Sequence, residues 1–141
     1  MRKINEIVVH CTATNPDWWA SRSINQKISE IRKWHINQRG WSDIGYHYLI
    51  DRDGKIGVGR PVEKIGAHVQ GRNEGTIGIS LLGGYDAANT DRFDSNFTAL
   101  QNQAIRSLIS DLSKRFSINI ISGHNQYAAK ACPGFDVRKW I

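Results

Sequence analysis

The run Ile4-Asn5-Glu6-Ile7-Val8-Val9-His10-Cys11 decides the fold class. Ile4 to Val9 is short and rich in β-branched residues, the pattern of a buried strand whose last positions deliver His10 and Cys11 to an edge or end of a sheet. Beyond it the period changes. Ser23-Ile24-Asn25-Gln26 has the form of a capping box, and Ile24, Ile28, Ile31 and Trp34 or His35 recur at helical spacing until Gly40 stops them. This predicts an amphipathic helix over 23–39. Tyr46–Ile50 and Ile56–Gly59 flank Asp53-Gly54 and read as two strands joined by a tight turn. Thr76–Leu82 reads as a central strand, and the polar stretch after Gly83-Gly84, through Asp94, as an exposed loop. A second capping box, Thr98-Ala99-Leu100-Gln101, opens a helix over 98–117. Its stripe is Leu100, Ala104, Leu108, Leu112 and Phe116, with Ile105 and Ile109 beside it. A last short strand, Ile118–Ile121, leads to His124. The expected architecture is α/β, a single domain over 1–141, with a central mixed sheet of about five strands flanked by helices.

Composition narrows the function classes. The 141 residues suit one domain, and 40% hydrophobic with 23% charged residues excludes disordered and fibrous chains. Nineteen basic against 13 acidic residues leave a net charge of +6, which favours anionic partners such as nucleic acid, an anionic membrane face or a cell-wall polymer. Lys and Arg are dispersed, with no nucleic-acid recognition motif between them, so a nucleic-acid partner is not expected. The amino terminus has only a three-residue apolar run before His10, which is no signal peptide, and no stretch is long enough to cross a bilayer. A cytoplasmic product without stable membrane insertion is expected. Two cysteines are too few for a disulfide scaffold.

Chemistry concentrates in His10 at the end of the first strand, His124 past the last strand, and Cys132 in the following loop. Two imidazoles and a thiolate suit zinc, and three protein ligands leave one tetrahedral position open for catalysis. On spacing alone the triple is weak, because His10 reads equally as a core residue and Cys132 as a small buried hydrophobe.

Six segments in order strengthen it: Val9-His10-Cys11-Thr12-Ala13-Thr14, Gly45-Tyr46-His47-Tyr48-Leu49-Ile50, Gly66-Ala67-His68, Gly78-Ile79-Ser80, Gly123-His124 and Lys130-Ala131-Cys132-Pro133-Gly134-Phe135. Over nearly the whole chain they resemble the N-acetylmuramoyl-L-alanine amidases of the T-seven-phage lysozyme type, whose fold is shared by peptidoglycan recognition proteins. The resemblance implies that His10, His124 and Cys132 bind zinc, that Tyr46 and Lys130 are catalytic, and that His68 and Asn73 contact the peptide of a muramyl-peptide substrate. Each role has a physical basis. Zinc lowers the pKa of its bound water and polarises a carbonyl, a nearby ammonium stabilises an oxyanion, and a phenol donates a hydrogen bond. His47, alternating with Tyr46, is expected on the opposite face in a structural role. Cys11 is expected to face away from the metal as a buried free thiol, and Asp136 to cap a short terminal helix. His35 needs no function, and no glutamate is fixed as a base. The zinc is expected at one end of the sheet, in a groove.

The implied activity is zinc-dependent hydrolysis of the amide between the muramic acid lactyl group and L-alanine. The context is a phage or prophage endolysin that is monomeric and released through a holin-type pore. A binding module is the second reading, but the full ligand set argues for an enzyme. An RNA-polymerase partner, the third, is disfavoured because only Met1 to about Asn5 precedes the first strand.

Overall fold

The computed structural model describes residues 2–89 and 91–141, so Met1 of the expected domain span and Thr90 of the expected loop lie outside the described residues. Five strands form one sheet: β1 (Glu6–Cys11), β2 (Tyr48–Ile50), β3 (Ile56–Val58), β4 (Thr76–Leu81) and β5 (Ile120–Gly123). Their order is β3-β2-β4-β1-β5, and only the β2–β3 hairpin is antiparallel. The expected mixed sheet is present.

Helix α1 (Ile24–Arg39) starts and stops where the sequence signals it. Ser23 and Gln26 cap each other's backbone N–H groups reciprocally, and Gly40 closes the helix at φ 70°, a left-handed conformation that favours glycine. Helix α3 (Ala99–Arg115) opens on the Thr98–Gln101 capping box. Its buried face is rotated from the expected stripe. Leu100 is 53% exposed whereas Gln101 is fully buried, because Gln101 Nε2 donates to Ile50 O and Leu82 O, carbonyls at the ends of β2 and β4. The stretch expected as loop through Asp94 also contains the start of a single-turn helix, α2 (Phe93–Asn96), which buries Phe93 against Phe97, Phe135 and Trp140. A four-residue helix shows no period for a pattern to reveal. The last helix, α4 (Val137–Trp140), is capped by the Asp136 side chain as expected.

The two faces of the sheet differ in chemistry. Alternation sends Ile7, Val9, Cys11, Ile77, Ile79 and Leu81 to the face covered by α3, through Ile105, Leu108, Ile109 and Leu112. On the other face α1 packs Ile24, Ile28 and Ile31 against Ile44, Leu49 and Leu82, over the β2–β3 half. The remaining half of that face carries Glu6 and His10 on β1, Ser80 on β4 and Ser122 on β5, none more than 2% exposed. Burying a polar group is costly unless a partner satisfies it, as Ser122 does for Glu6 and His68 for His10. That polar half-face holds the candidate site.

Candidate metal centre and its cleft

His10, next to last in β1, projects from this face with its ring 4.7 Å from that of His124, 4.9 Å from His68 and 5.2 Å from Tyr46, centroid to centroid. The site therefore lies beside α1 on the sheet face, toward the end at which β1 and β5 finish. Alternation on β1 aims His10 at a region that α1 leaves uncovered.

The donor atoms of His10, His124 and Cys132 all lie within 4.8 Å of one another. His10 Nδ1 is 3.9 Å from Cys132 Sγ, close to the roughly 3.5 Å that separates nitrogen and sulfur ligands in a tetrahedral zinc site. Each donor comes from a different local device: His10 from β1, His124 from a 3-10 turn (His124–Gln126) directly after β5, and Cys132 from the loop turned by Gly134 at φ 92°. Cys132 Sγ also accepts the Cys11 N–H at 3.1 Å. Both cysteines are free, as expected. Cys11 faces the α3 side yet is not remote, since its backbone supports the sulfur of Cys132.

Electrostatics prepare this cluster for a cation. Burial, then the neighbouring His68 and His124, holds the His10 imidazole well below its ordinary pKa, so it is neutral and able to ligate. Burial and then Lys130 lower His124 as well. The Cys132 thiol is pushed well above its ordinary range by its hydrogen bond to Cys11 and by burial, so a metal must displace a proton to bind there. Neutral imidazoles and a thiol with no acid between them match a thiophilic divalent metal.

Tyr46 and Lys130 flank the triad differently. Burial raises the Tyr46 phenol, with the sulfurs of Cys132 and Cys11 adding to the effect, so its hydroxyl remains a donor. His35, given no role by the sequence, supports this residue. Its Nδ1 accepts the Gly45 N–H at 2.9 Å and its ring stands edge-on to Tyr46 at 5.5 Å. Gly45 itself allows a close approach, since a Cβ there would come 2.2 Å from Ala67 O. Lys130 is exposed, and its charge reaches both His124 and Cys132.

His47 departs from the expected opposite face. Strand β2 begins only at Tyr48, so Tyr46 and His47 are not bound to alternate, and the His47 ring stands 5.8 Å from that of His68. Its role is structural as expected: Nδ1 accepts the Gly78 N–H at 3.0 Å and Nε2 meets Lys64 O at 2.8 Å. His68 and Asn73 both line a cleft of about 530 Å³ that also contains His124 and Lys130. Both ring nitrogens of His68 and the Oδ1 of Asn73 are engaged within the protein. His68 is 7% exposed with Nδ1 2.8 Å from His10 Nε2, and Asn73 Oδ1 accepts the N–H groups of His68 and Val69. Burial, then His47 and His124, lowers the His68 pKa to about 3.

A second cluster escaped the sequence reading. Glu6, two alternations before His10, accepts from Ser122 Oγ at 2.6 Å, from Arg72 Nη2 at 2.8 Å and from the Tyr127 hydroxyl. The Arg72 guanidinium lies 4.1 Å over the Tyr127 ring, and Tyr127 is part of the cleft wall. The only sequence signal was an acidic residue inside an otherwise apolar strand.

Comparison with known proteins places this geometry in context. A family model described as N-acetylmuramoyl-L-alanine amidase matches residues 1–135. The endolysin of Escherichia phage T7 is 42% identical over 134 residues, covering 95% of this chain and 83% of its own. The solved N-acetylmuramoyl-L-alanine amidase LysC from Clostridium intestinale URNW superposes with a TM-score of 0.75 at 32% identity, over 98% of this chain and 83% of LysC. Bumblebee PGRP-SA superposes with a TM-score of 0.80 at 26% identity, over all of this chain and 81% of its own.

Proposed function

Because the chain belongs to the N-acetylmuramoyl-L-alanine amidase family, we propose that His10, His124 and Cys132 hold a zinc ion with which it cleaves peptidoglycan between the muramic acid lactyl group and L-alanine. The observation that carries this reading is the convergence of two imidazoles and a thiol on a buried polar half-face that opens into the cleft. Zinc bound there supplies Lewis acidity toward the scissile carbonyl and lowers the pKa of water toward about 7.

The chain's own residues do the rest. Tyr46, kept protonated, donates a hydrogen bond to the carbonyl oxygen as charge develops on it. Lys130, an exposed cation on the cleft wall, stabilises the same oxyanion. His68 and Asn73 shape the wall along which the stem peptide lies, His68 through its surface and Asn73 through the loop order that its Oδ1 maintains. The +6 charge supports encounter with the carboxylates of stem peptides and the anionic polymers of the envelope.

The whole span 1–141 works as one amidase unit and as a monomer. No helix among the described residues is long and apolar enough to cross a membrane. The similarity to phage endolysins supports a role in host lysis after release from the cytoplasm.

Digestion of purified peptidoglycan tests the reading. New L-alanine amino termini are expected, abolished by a chelator and restored by zinc. New reducing sugar ends would instead mean glycosidase chemistry, and peptidoglycan retained without cleavage would mean a binding module.

A further inference from the structure

The hydrogen bonds behind His10 have a direction that can be read outward from the backbone. Thr76 Oγ1 lies 2.8 Å from Arg72 O and 3.0 Å from Asn73 O, both pure acceptors, so its single proton is given to a carbonyl. The same oxygen lies 3.1 Å from His68 Nε2 and must then accept from it. A neutral His68 ring with its proton on Nε2 presents a lone pair on Nδ1. That lone pair, 2.8 Å from His10 Nε2, accepts the His10 proton. His10 is left with Nδ1 unprotonated, on the side facing Cys132.

We propose that His68, backed by Thr76, is a positioning residue that holds His10 in its Nε2–H tautomer and so presents Nδ1 to the metal. The sequence reading made His68 a substrate contact, but its polar atoms are committed to His10 and Thr76. Room for the ring is built into the sheet, because a Cβ on Gly78 would lie 2.6 Å from His68 Cγ. Asn73 fixes the loop end through the His68 N–H. The chain of bonds ends on backbone, which cannot change its hydrogen-bonding sense.

The inference rests on the metal reading above, and its test separates the two. In the metal-free protein, nitrogen-15 NMR of the imidazoles is expected to show His10 protonated on Nε2 and bare on Nδ1. In His68→Phe or Thr76→Val that preference is expected to relax. Zinc affinity, measured by competition with a chromophoric chelator, should fall by roughly 10- to 100-fold in His68→Phe and less in Thr76→Val. His68→Asn, which keeps an acceptor where Nδ1 was, should recover most of the loss, and Thr76→Ser should match wild type. Circular dichroism confirms that each variant is folded, and Thr76→Val stands in if His68→Phe is not. A wild type that binds zinc but carries the His10 proton on Nδ1, or a folded His68→Phe or Thr76→Val with wild-type zinc affinity, overturns this inference alone. A wild type that binds no zinc overturns the metal reading and this inference together.

Discussion

Gly78→Ala adds one methyl group, and its effect can be worked through from the site. The new Cβ would lie 2.6 Å from Cγ, 2.8 Å from Cδ2 and 2.9 Å from Nδ1 of His68. Ordinary carbon contact needs at least about 3.5 Å, so the ring must retreat by roughly 1 Å. Gly66 also approaches the ring without a side chain, since a Cβ there would lie 2.8 Å from His68 Cδ2, so backbone borders the ring on that side. Moving the ring stretches the 2.8 Å bond to His10 toward the roughly 3.5 Å at which it ceases to count. Overpacking costs about 1–3 kcal/mol, and leaving a buried polar partner unpaired about 1–3 kcal/mol more. For a chain of this size each kcal/mol shifts the midpoint by roughly 3–4 °C, so the thermal unfolding midpoint of Gly78→Ala should fall by roughly 6–24 °C. Zinc affinity should drop by roughly 10- to 100-fold. Gly71→Ala is the control, because Gly71 is left-handed at φ 82° with nothing within 4 Å of its Cβ position. It should lose about 1–2 kcal/mol through backbone strain and leave zinc binding unchanged. A Gly78→Ala protein with wild-type melting and wild-type zinc affinity would refute the claim that the ring is wedged against His10.

Four further outcomes are expected. A chelator should lower the melting midpoint by roughly 8–10 °C if zinc was present at about 100 times its dissociation constant, and Cys132→Ser should abolish that response. Tyr46→Phe and Lys130→Ala should keep zinc yet lower turnover by roughly 10² or more in the amino-terminus assay, the scale of losing one oxyanion donor. Burial raises the Glu6 carboxyl, but the hydrogen bonds from Ser122, Tyr127 and Arg72 outweigh it, so its folded pKa lies below the ordinary value. The stability it contributes is complete above the unfolded pKa of about 4.3 and is lost as pH falls through the lower folded value; urea melts of metal-free wild type and Glu6→Gln should converge over that range. Gln101→Leu removes one donor from each of the carbonyls of Ile50 and Leu82, of which Ile50 O keeps the Leu82 N–H at 2.9 Å and Leu82 O the more distant Arg52 Nη1 at 3.5 Å, and should lose about 1–3 kcal/mol in the same melts, whereas exposed Leu100→Ala should stay within about 0.5 kcal/mol.

Local rules made much of this legible in the sequence. Both long helices begin at capping boxes, because the two residues that satisfy the first N–H groups lie three apart in the chain. The rotation of α3 was hidden, because Gln101 is buried to serve strand carbonyls that are distant in sequence and a polarity pattern scores it as surface. The ligand triad was visible as residue types, yet only the order of six motifs separated it from chance triples, and its closure within 4.8 Å depends on the parallel pairing of β1 with β5. The strand ends that carry His10 and His124 are evident in sequence, but how far α1 extends over the sheet is not. The bonds of His68 to His10 and Thr76 were not legible, because these partners come from β1 and β4 and nothing local to Gly66-Ala67-His68 announces either.

Strand β1 does two jobs through one alternation, and this ties folding to function. Ile7, Val9 and Cys11 bury against the α3 layer, while Glu6 and His10 face the cleft side. Glu6 holds Tyr127 of the cleft wall and the Arg72 that lies over its ring, and His10 faces His124 and Cys132 at the metal position. A shift of β1 by one residue would exchange the two faces, burying a carboxylate and an imidazole among aliphatic side chains with no partners. The polar residues thus penalise the wrong register as strongly as the apolar ones favour the right one. Parallel pairing with β4 on one side and β5 on the other leaves β1 no free edge along which to slip. The register that completes the core is therefore the one that sets His10 against His68.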